Sequence, residues 1–211
     1  MTTASTTLVL LVRHGVTPTT GQVLPGRSPG LHLSPAGRAQ AEAVADRLAE
    51  LPIAAIHTSP LERCVETSAP LAARSGLQPV IDPGLTECDF GDWTGGQLAE
   101  LAGLPDWQVV QRSPSQFRFP GGESFAELSE RMVGTIGRIR DAHPGQVVVC
   151  FSHADPIKAV LTHALGAPLD ALQRIWIDPA SVSVLGHDGD GTLGVIKMNT
   201  TTGSLRELRT G

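Results

Sequence analysis

Residues 8–15 read LVLLVRHG, a nearly continuous apolar run that stops at an arginine and a histidine. Apolar side chains at consecutive positions are typical of a strand that is covered on both faces, as in a parallel sheet. Shorter apolar runs at residues 54–58, 79–82 and 147–151 have the same character. These four segments predict the strands of one sheet.

Segments with helical spacing lie between these strands. Ser34 and Pro35 look like an N-cap followed by proline at the first helical position, and apolar residues then recur at intervals of three and four. Further helices are predicted from about residue 61 to 74, from after Gly122 to before Pro144, and from 155 to 165. Because strands and helices alternate, the sequence predicts an α/β fold with a mostly parallel sheet.

Two other segments have a different pattern. Residues 181–185 and 192–198 are β-rich and flank the four residues Asp188-Gly189-Asp190-Gly191, which together predict a hairpin. Such a segment would allow pairing with a second copy, and hence a homodimer. Residues 93–120 are rich in Gly, Pro and polar side chains and predict a partly helical, lid-like excursion over a site. No long linker divides the chain, so we interpret residues 1–211 as a single domain.

Composition excludes several classes of function. The chain has 211 residues and a formal net charge of −5, and its basic residues form no run. This argues against a nucleic-acid partner and against a membrane surface. The apolar run at residues 8–12 is too short for a signal-peptide core or a membrane span. Three cysteines, an odd count without a C-x-x-C pair, indicate reduced thiols and a cytoplasmic location.

The ends of the predicted strands carry side chains that suit one kind of chemistry. In open α/β sheets, ligands bind beyond the carboxyl ends of the strands. At or shortly after these ends lie two arginines, two histidines and a carboxylate: Arg13, His14, Arg63, Glu87 and His153. We therefore expect these five side chains to converge at one edge of the sheet.

Those residue types fit phosphoryl transfer. A neutral imidazole is a good nucleophile, and arginine presents a planar fork of donors that matches phosphate oxygens. Fixed cations stabilise the transition state and a carboxyl group of raised pKa can protonate the leaving oxygen, so no metal or cofactor is required. Each residue alone has a structural alternative: a salt bridge for either arginine, a solvated loop position for Glu87, a helix cap for His153. Their coincidence favours the functional interpretation.

Five blocks of sequence, in order, carry a family pattern. They are LVRHG at 11–15, TSPLERCVET at 58–67, LTE with FGDWTG between 85 and 95, PGGES at 120–124 and FSH at 151–153. This pattern resembles the histidine phosphatase superfamily, the phosphoglycerate-mutase-like enzymes. The resemblance implies a three-layer sandwich in which helices flank the central sheet. It also implies a phosphorylated His14, a phosphate pocket completed by Arg13, Arg63 and His153, and Glu87 as proton donor.

The chain departs from the family pattern at two places. Thr19 and Thr20 stand where the mutases usually carry an asparagine, and Ala154 and Asp155 follow the second histidine where glycines are common. Both departures concern contacts to the small phosphorylated substrate. Thr20 and, in the loop after the nucleophile, Arg27 are therefore candidate substrate-binding residues.

The phosphohistidine has two fates within this family. Attack by water makes a phosphatase, whereas return of the phosphoryl group to a retained ester makes a phosphoglycerate mutase or related phosphomutase. A mutase must hold a doubly phosphorylated intermediate behind a substantial lid rich in cations. The excursion supplies only Arg112 and Arg118, which favours a phosphatase. A third class, a phosphate-binding module without catalysis, is disfavoured because all five site residues are present.

A second motif points to another phosphatase class. Residues 188–192, DGDGT, match the nucleophile motif of the magnesium-dependent haloacid-dehalogenase-like phosphatases. That family places the motif near the start of its core domain and needs a lysine and further acidic residues downstream, whereas nineteen residues follow Thr192. A hairpin turn is therefore favoured, because Asp-Gly pairs supply its positive φ angles.

Overall fold

The computed structural model of the chain describes residues 6–187 and 193–208. The strands within these residues are β1 (Thr7–Arg13), β2 (Ile53–Thr58), β3 (Val80–Ile81), β4 (Val147–Ser152), β5 (Val182–His187) and β6 (Leu193–Thr200). They form one sheet in the order β3-β2-β4-β1-β5-β6. β1 to β4 run parallel, and β5 and β6 add an antiparallel pair at one edge. The predicted α/β fold with a mostly parallel sheet is confirmed.

Helices cover both faces of the sheet. The α-helices within the described residues are α1 (Pro35–Leu48), α2 (Glu62–Ser75), α3 (Leu98–Leu101), α4 (Pro105–Arg112), α5 (Phe125–Ala142) and α6 (Ala154–Ala164), of which α1, α2, α5 and α6 pack on the sheet. The core on one face includes side chains of α1 and α2, and the core on the other face includes side chains of α5 and α6. The expected three-layer sandwich is therefore present. None of the described helices is long and apolar enough to cross a membrane.

The central strand β1 shows why its apolar run is uninterrupted. Leu8, Leu10 and Val12 join the core under α1 and α2, while Val9 and Leu11 join the core under α5 and α6. Because successive side chains of a strand point to opposite faces, a strand with helices on both sides needs apolar residues at every position. The neighbouring strand β4 is buried along its whole length for the same reason.

The edges of the sheet differ from the sequence-based prediction. The strand predicted over residues 79–82 is shorter, because β3 pairs only through Val80 and Ile81 with the end of β2 and both residues are exposed. β5 and β6 pair antiparallel, as the predicted hairpin requires. The turn predicted at residues 188–191 lies outside the described residues. β6 lies at the opposite edge, and its pairing with a second copy stays a prediction.

A close backbone contact fixes the turn after β1. Helix α1 is capped by Ser34, whose Oγ accepts a hydrogen bond from Gly37 N at 3.1 Å. A Cβ at Gly37 would lie 2.0 Å from the carbonyl oxygen of Val16. Only glycine allows this approach, so the first turn of α1 packs directly against the backbone that follows the strand.

The excursion at residues 93–120 contains α3, α4 and an aromatic cluster. Phe119 contacts Phe117 and Trp93 with ring centroids 5.0 and 5.5 Å apart, and it also contacts Phe90 at 4.9 Å. These side chains belong to a third core that also includes the start of α5. Packed aromatic rings thus hold the excursion against the start of α5, next to the strand ends. The interpretation of the chain as one domain stays a prediction.

Candidate active site

The two predicted site histidines lie at the ends of adjacent parallel strands. β1 pairs with β4 in a register that places Arg13 opposite Ser152, and His14 N donates to Ser152 O at 3.0 Å. The next residue of each strand is therefore a histidine, and the rings of His14 and His153 have centroids 5.2 Å apart. The two histidines of the expected convergence therefore lie side by side at this edge of the sheet.

His14 has the protonation that a nucleophile needs. Its Nδ1 lies 2.8 Å from the carbonyl oxygen of Gly15, so Nδ1 carries the proton and Nε2 keeps its lone pair. Burial, with the positive charges of Arg63 and Arg13, lowers the pKa of His14 to about 3. His14 also lines a cavity of about 430 Å³ at the strand ends. A neutral imidazole therefore faces this cavity at any working pH.

The two arginines of the site have donors without partners. Arg13 Nη1 donates to Ile177 O at 2.6 Å, and Arg63 Nη2 donates to Gly26 O at 2.8 Å. Arg13 Nε and both Nε and Nη1 of Arg63 are buried with no hydrogen-bond partner among the described residues. Buried N–H groups without an acceptor are costly, and a tetrahedral oxyanion supplies acceptors of matching charge. The arrangement therefore suits an anion bound between these guanidinium groups.

His153 is held at the base of this site. It is fully buried, and its Nε2 lies 2.8 Å from Ser59 Oγ. Burial, followed by the charges of Arg63 and the His14 ring, lowers the pKa of His153 well below its usual value. His153 directly precedes α6 but makes no side-chain cap bond to it, so the helix-cap alternative is not its role. Its ring faces His14 instead.

Glu87 lines the same cavity as His14. Its Oε1 accepts a hydrogen bond from Cys88 N at 2.9 Å. Burial, together with the negative charge of Asp155, raises the pKa of Glu87 to about 7. A carboxyl group with this pKa can both give and take a proton near neutral pH.

The loop that carries Glu87 is clamped by an ion-pair network. Glu123 pairs with Arg131 at 2.8 Å and with Arg27 at 2.9 Å, and it accepts from the backbone N of Asp89 at 3.1 Å. Arg27 Nε in turn donates to Glu87 O at 2.8 Å. The glutamate of the PGGES block therefore fixes the position of the predicted proton donor.

The two candidate substrate contacts lie in different surroundings. Thr20 lines the cavity, and its Oγ accepts from Thr17 N at 2.9 Å. Arg27 is not among the residues that line the cavity, because its guanidinium group points to Glu123 and Asp89. Thr20 thus lies at the wall of the cavity, whereas Arg27 belongs to the clamp of the Glu87 loop.

Sequence reasoning missed several polar residues of the site. Lys158 lines the cavity and pairs with Asp155 at 3.1 Å, and its Nζ also donates to Gln173 Oε1 at 2.9 Å. Thr67 Oγ accepts from Gly15 N at 3.1 Å, which ties α2 to the nucleophile turn. The spacing of Asp155 and Lys158 on one helix was the available signal for their pairing. Within the described residues no group of three or more His, Cys, Asp or Glu could hold a metal ion.

The geometry has a counterpart in known proteins. A family model described as histidine phosphatase superfamily, branch 1, matches residues 9–200. The chain belongs to the histidine phosphatase superfamily.

Relatives within the superfamily include proteins described as phosphatases and as a mutase. Phosphoserine phosphatase 1 of Hydrogenobacter thermophilus is 31% identical over 83% of this chain and 85% of its own length. A probable phosphoglycerate mutase, GpmB of Cronobacter sakazakii, is 34% identical over 95% of this chain and 94% of its own. The native structure of mycobacterial glucosyl-3-phosphoglycerate phosphatase superposes with a TM-score of 0.83 at 25% identity, covering 92% of this chain and 99% of that one. Family membership therefore supports phosphatase chemistry without fixing the substrate.

Proposed function

We propose that the chain is a metal-independent phosphomonoesterase that uses a phosphohistidine intermediate on a small phosphorylated metabolite. The observation that carries this proposal is the neutral, buried His14 beside arginine donors that have no partner among the described residues. Such a site binds a phosphate and offers it a nucleophile at once. The cytoplasmic location suggested by three free, buried cysteines stays a prediction.

The residues perform two half-reactions in this proposal. His14 Nε2 attacks phosphorus and the bond to the ester oxygen breaks, while the Glu87 carboxyl group gives its proton to that oxygen. Glu87, now ionised, takes a proton from a water molecule that attacks the phosphohistidine, so that the P–N bond breaks and phosphate leaves. Arg13, Arg63 and His153 hold the phosphoryl oxygens through both steps, where charge spreads over them.

Hydrolysis fits the placement of the cations better than a mutase reaction does. A mutase must hold a second phosphate away from His14, which requires free cationic groups. Arg118 is exposed and pairs with Glu127, and Arg112 is exposed and does not line the cavity. Lys158 lines the cavity but is paired with Asp155. Among the described residues that line the cavity, none is therefore a cation supplied by the excursion.

Phosphate release in the presence of a chelator is the test of this function. We expect EDTA-treated enzyme to release phosphate from a panel of small monoesters at the rate of the untreated enzyme, because its catalytic charges are side chains. A phosphoglycerate mutase assay, run on the same preparation, separates the two fates of the phosphohistidine. Interconversion of phosphoglycerates faster than phosphate release would replace this proposal by a mutase.

The effect of replacing Glu87 should depend on the leaving group of the substrate. We expect Glu87→Gln to lower kcat for an alkyl phosphate about 10²- to 10⁴-fold, because the departing alkoxide needs a proton. The loss should be much smaller for 4-nitrophenyl phosphate, whose leaving group is stable as an anion. In the wild type, kcat/KM for the alkyl ester should fall as the pH rises through the pKa of Glu87 at about 7, and this contribution of Glu87 should vanish in the variant.

Glu100→Gln is the matched control for this experiment. Glu100 is an exposed carboxylate at the end of α3 and does not line the cavity, so its replacement should leave both pH profiles unchanged. Unchanged turnover of the alkyl ester by Glu87→Gln would remove Glu87 from the mechanism.

A further inference from the structure

The cavity is much larger than the phosphate that His14 and Arg13 would hold. Its volume of about 430 Å³ is within the range of sites for small organic ligands. The rest of this space must therefore accept the leaving group of the ester. Given the phosphatase reaction proposed above, the residues that line this space indicate the chemistry of the leaving group.

Most of the wall beyond the phosphate end is apolar. Leu24, Leu98 and Val110 line one part of it and Phe119 and Phe125 another. Two tryptophans complete it: Trp107, half-buried against Trp93 with rings 6.2 Å apart and nearly parallel, and Trp176, whose side chain is 80% exposed. Flat indole surfaces of this kind favour stacking with planar apolar groups.

The charges on the wall are compensated. Among the described residues that line the cavity, the cations are Arg13 and Lys158. Lys158 Nζ lies 3.1 Å from Asp155 Oδ1 and 2.9 Å from Gln173 Oε1, so its positive charge already has an anionic partner. A carboxylate or second phosphate on the leaving group would lose water without gaining an unpaired cation, and it would face Asp155.

We propose that the substrate is a phosphate monoester of an uncharged alcohol with a flat, largely apolar body. This inference rests on the proposed phosphatase function. The phosphate lies between Arg13, Arg63 and His14, the body lies against Trp107 and the apolar wall, and a neutral hydrogen-bonding group of the alcohol reaches Gln173 and the Lys158–Asp155 pair.

A panel of primary-alcohol esters tests this assignment, because their leaving groups have similar basicity. It comprises 2-phenylethyl phosphate, ethyl phosphate, phosphoserine and 3-phosphoglycerate, with 4-nitrophenyl phosphate as an activated ester that any phosphatase of this type should cleave. We expect kcat/KM for 2-phenylethyl phosphate to exceed that for each charged ester about 10- to 100-fold, the range that apolar contacts provide.

Two kinds of variant test the two parts of the argument. Trp107→Ala and Trp176→Ala should each lower the ratio of kcat/KM for 2-phenylethyl to ethyl phosphate, and Trp176 is so exposed that its loss cannot unfold the core. Leu104→Ala is the control, since Leu104 is exposed at the start of α4 and does not line the cavity. Asp155→Asn leaves Lys158 uncompensated and should raise the ratio for 3-phosphoglycerate over 2-phenylethyl phosphate about tenfold.

The outcomes distinguish a failure of the substrate assignment from a failure of the proposed phosphatase function. Cleavage of 4-nitrophenyl phosphate together with a preference for phosphoserine or 3-phosphoglycerate overturns the uncharged apolar substrate and leaves the phosphatase in place. Phosphoserine preferred over every other ester would mean that the Lys158–Asp155 pair receives a zwitterion. No phosphate from any ester, including 4-nitrophenyl phosphate, overturns the phosphatase and this inference with it.

Discussion

Alanine in place of His14 is expected to lower phosphate release at least about 10⁴-fold, the scale of loss when a covalent nucleophile is removed. In the proposed mechanism the neutral Nε2 attacks phosphorus, and neither Arg13 nor Arg63 can replace it because a guanidinium group has no free lone pair. Rapid-quench measurements with labelled substrate should show an acid-labile, base-stable phosphoenzyme in the wild type and none in the variant.

Two further variants keep this result interpretable. His163→Ala changes an exposed histidine on α6 that does not line the active-site cavity, and it should retain full activity. His14→Gln keeps a polar side chain of similar size, so it should still bind vanadate while making no phosphoenzyme. Release within tenfold of the wild-type rate by either His14 variant would exclude this residue as the nucleophile.

The same histidine affects stability in acid. Burial and the charges of Arg63 and Arg13 lower its pKa to about 3, whereas an unfolded histidine titrates near about 6.5. Between these values the unfolded state binds a proton that the folded state does not, so the free energy of unfolding falls as the pH falls through this window. A protein without His14 loses this contribution and should be less sensitive to acid.

The parts of the fold that could be predicted are the buried ones, because burial on one or both faces leaves a pattern of apolar residues in the sequence. β1 and β4 are covered on both faces, so their apolar runs are unmistakable, and Ser34 with Pro35 marks the start of α1. The short edge strand β3 has little burial and was predicted too long. The insertion of β4 between β1 and β2 depends on pairing between distant segments, which no local pattern records.

The site also has a part that could be predicted from the sequence and a part that could not. Residues at strand ends were predictable because a parallel sheet brings its carboxyl ends together, and His14 and His153 follow adjacent strands. The partner of a charged side chain was not predictable. Arg27 was expected at the substrate, yet Glu123 holds it in the clamp of the Glu87 loop, 96 residues away in sequence. Whether an arginine pairs with a carboxylate or stays available to a substrate depends on contacts that form only in the folded chain.

Methionine in place of Arg63 is expected to lower kcat/KM about 10²- to 10³-fold, the loss that follows removal of one donor to the charge of a transition state. Arg63 is fully buried, and its Nε and Nη1 have no partner among the described residues, so we expect the phosphate to be the acceptor of these atoms. Arg63→Lys should recover only part of the loss, because it restores the charge without the planar fork. Arg138→Met is the control, since Arg138 is exposed and pairs with Asp82 away from the cavity.

Stability should respond differently from activity. The only described acceptor of Arg63 is Gly26 O, and losing that bond is offset by removing a buried charge that lacks an anionic partner. We therefore expect the free energy of unfolding without phosphate to change by less than about 2 kcal/mol. Phosphate at a hundred times its Kd should add about 2.7 kcal/mol to the wild type and almost nothing to Arg63→Met.

This contrast distinguishes an anion-binding arginine from a structural one. A structural arginine would lower stability when replaced, and phosphate would still stabilise the variant, because the anion site would remain intact. Replacing an arginine that binds the anion should lower activity and abolish the effect of phosphate on Tm, while the stability without phosphate is kept. Thermal unfolding of the wild type, Arg63→Met and Arg138→Met, each with and without phosphate, therefore decides whether the unpartnered donors of Arg63 are the phosphate site.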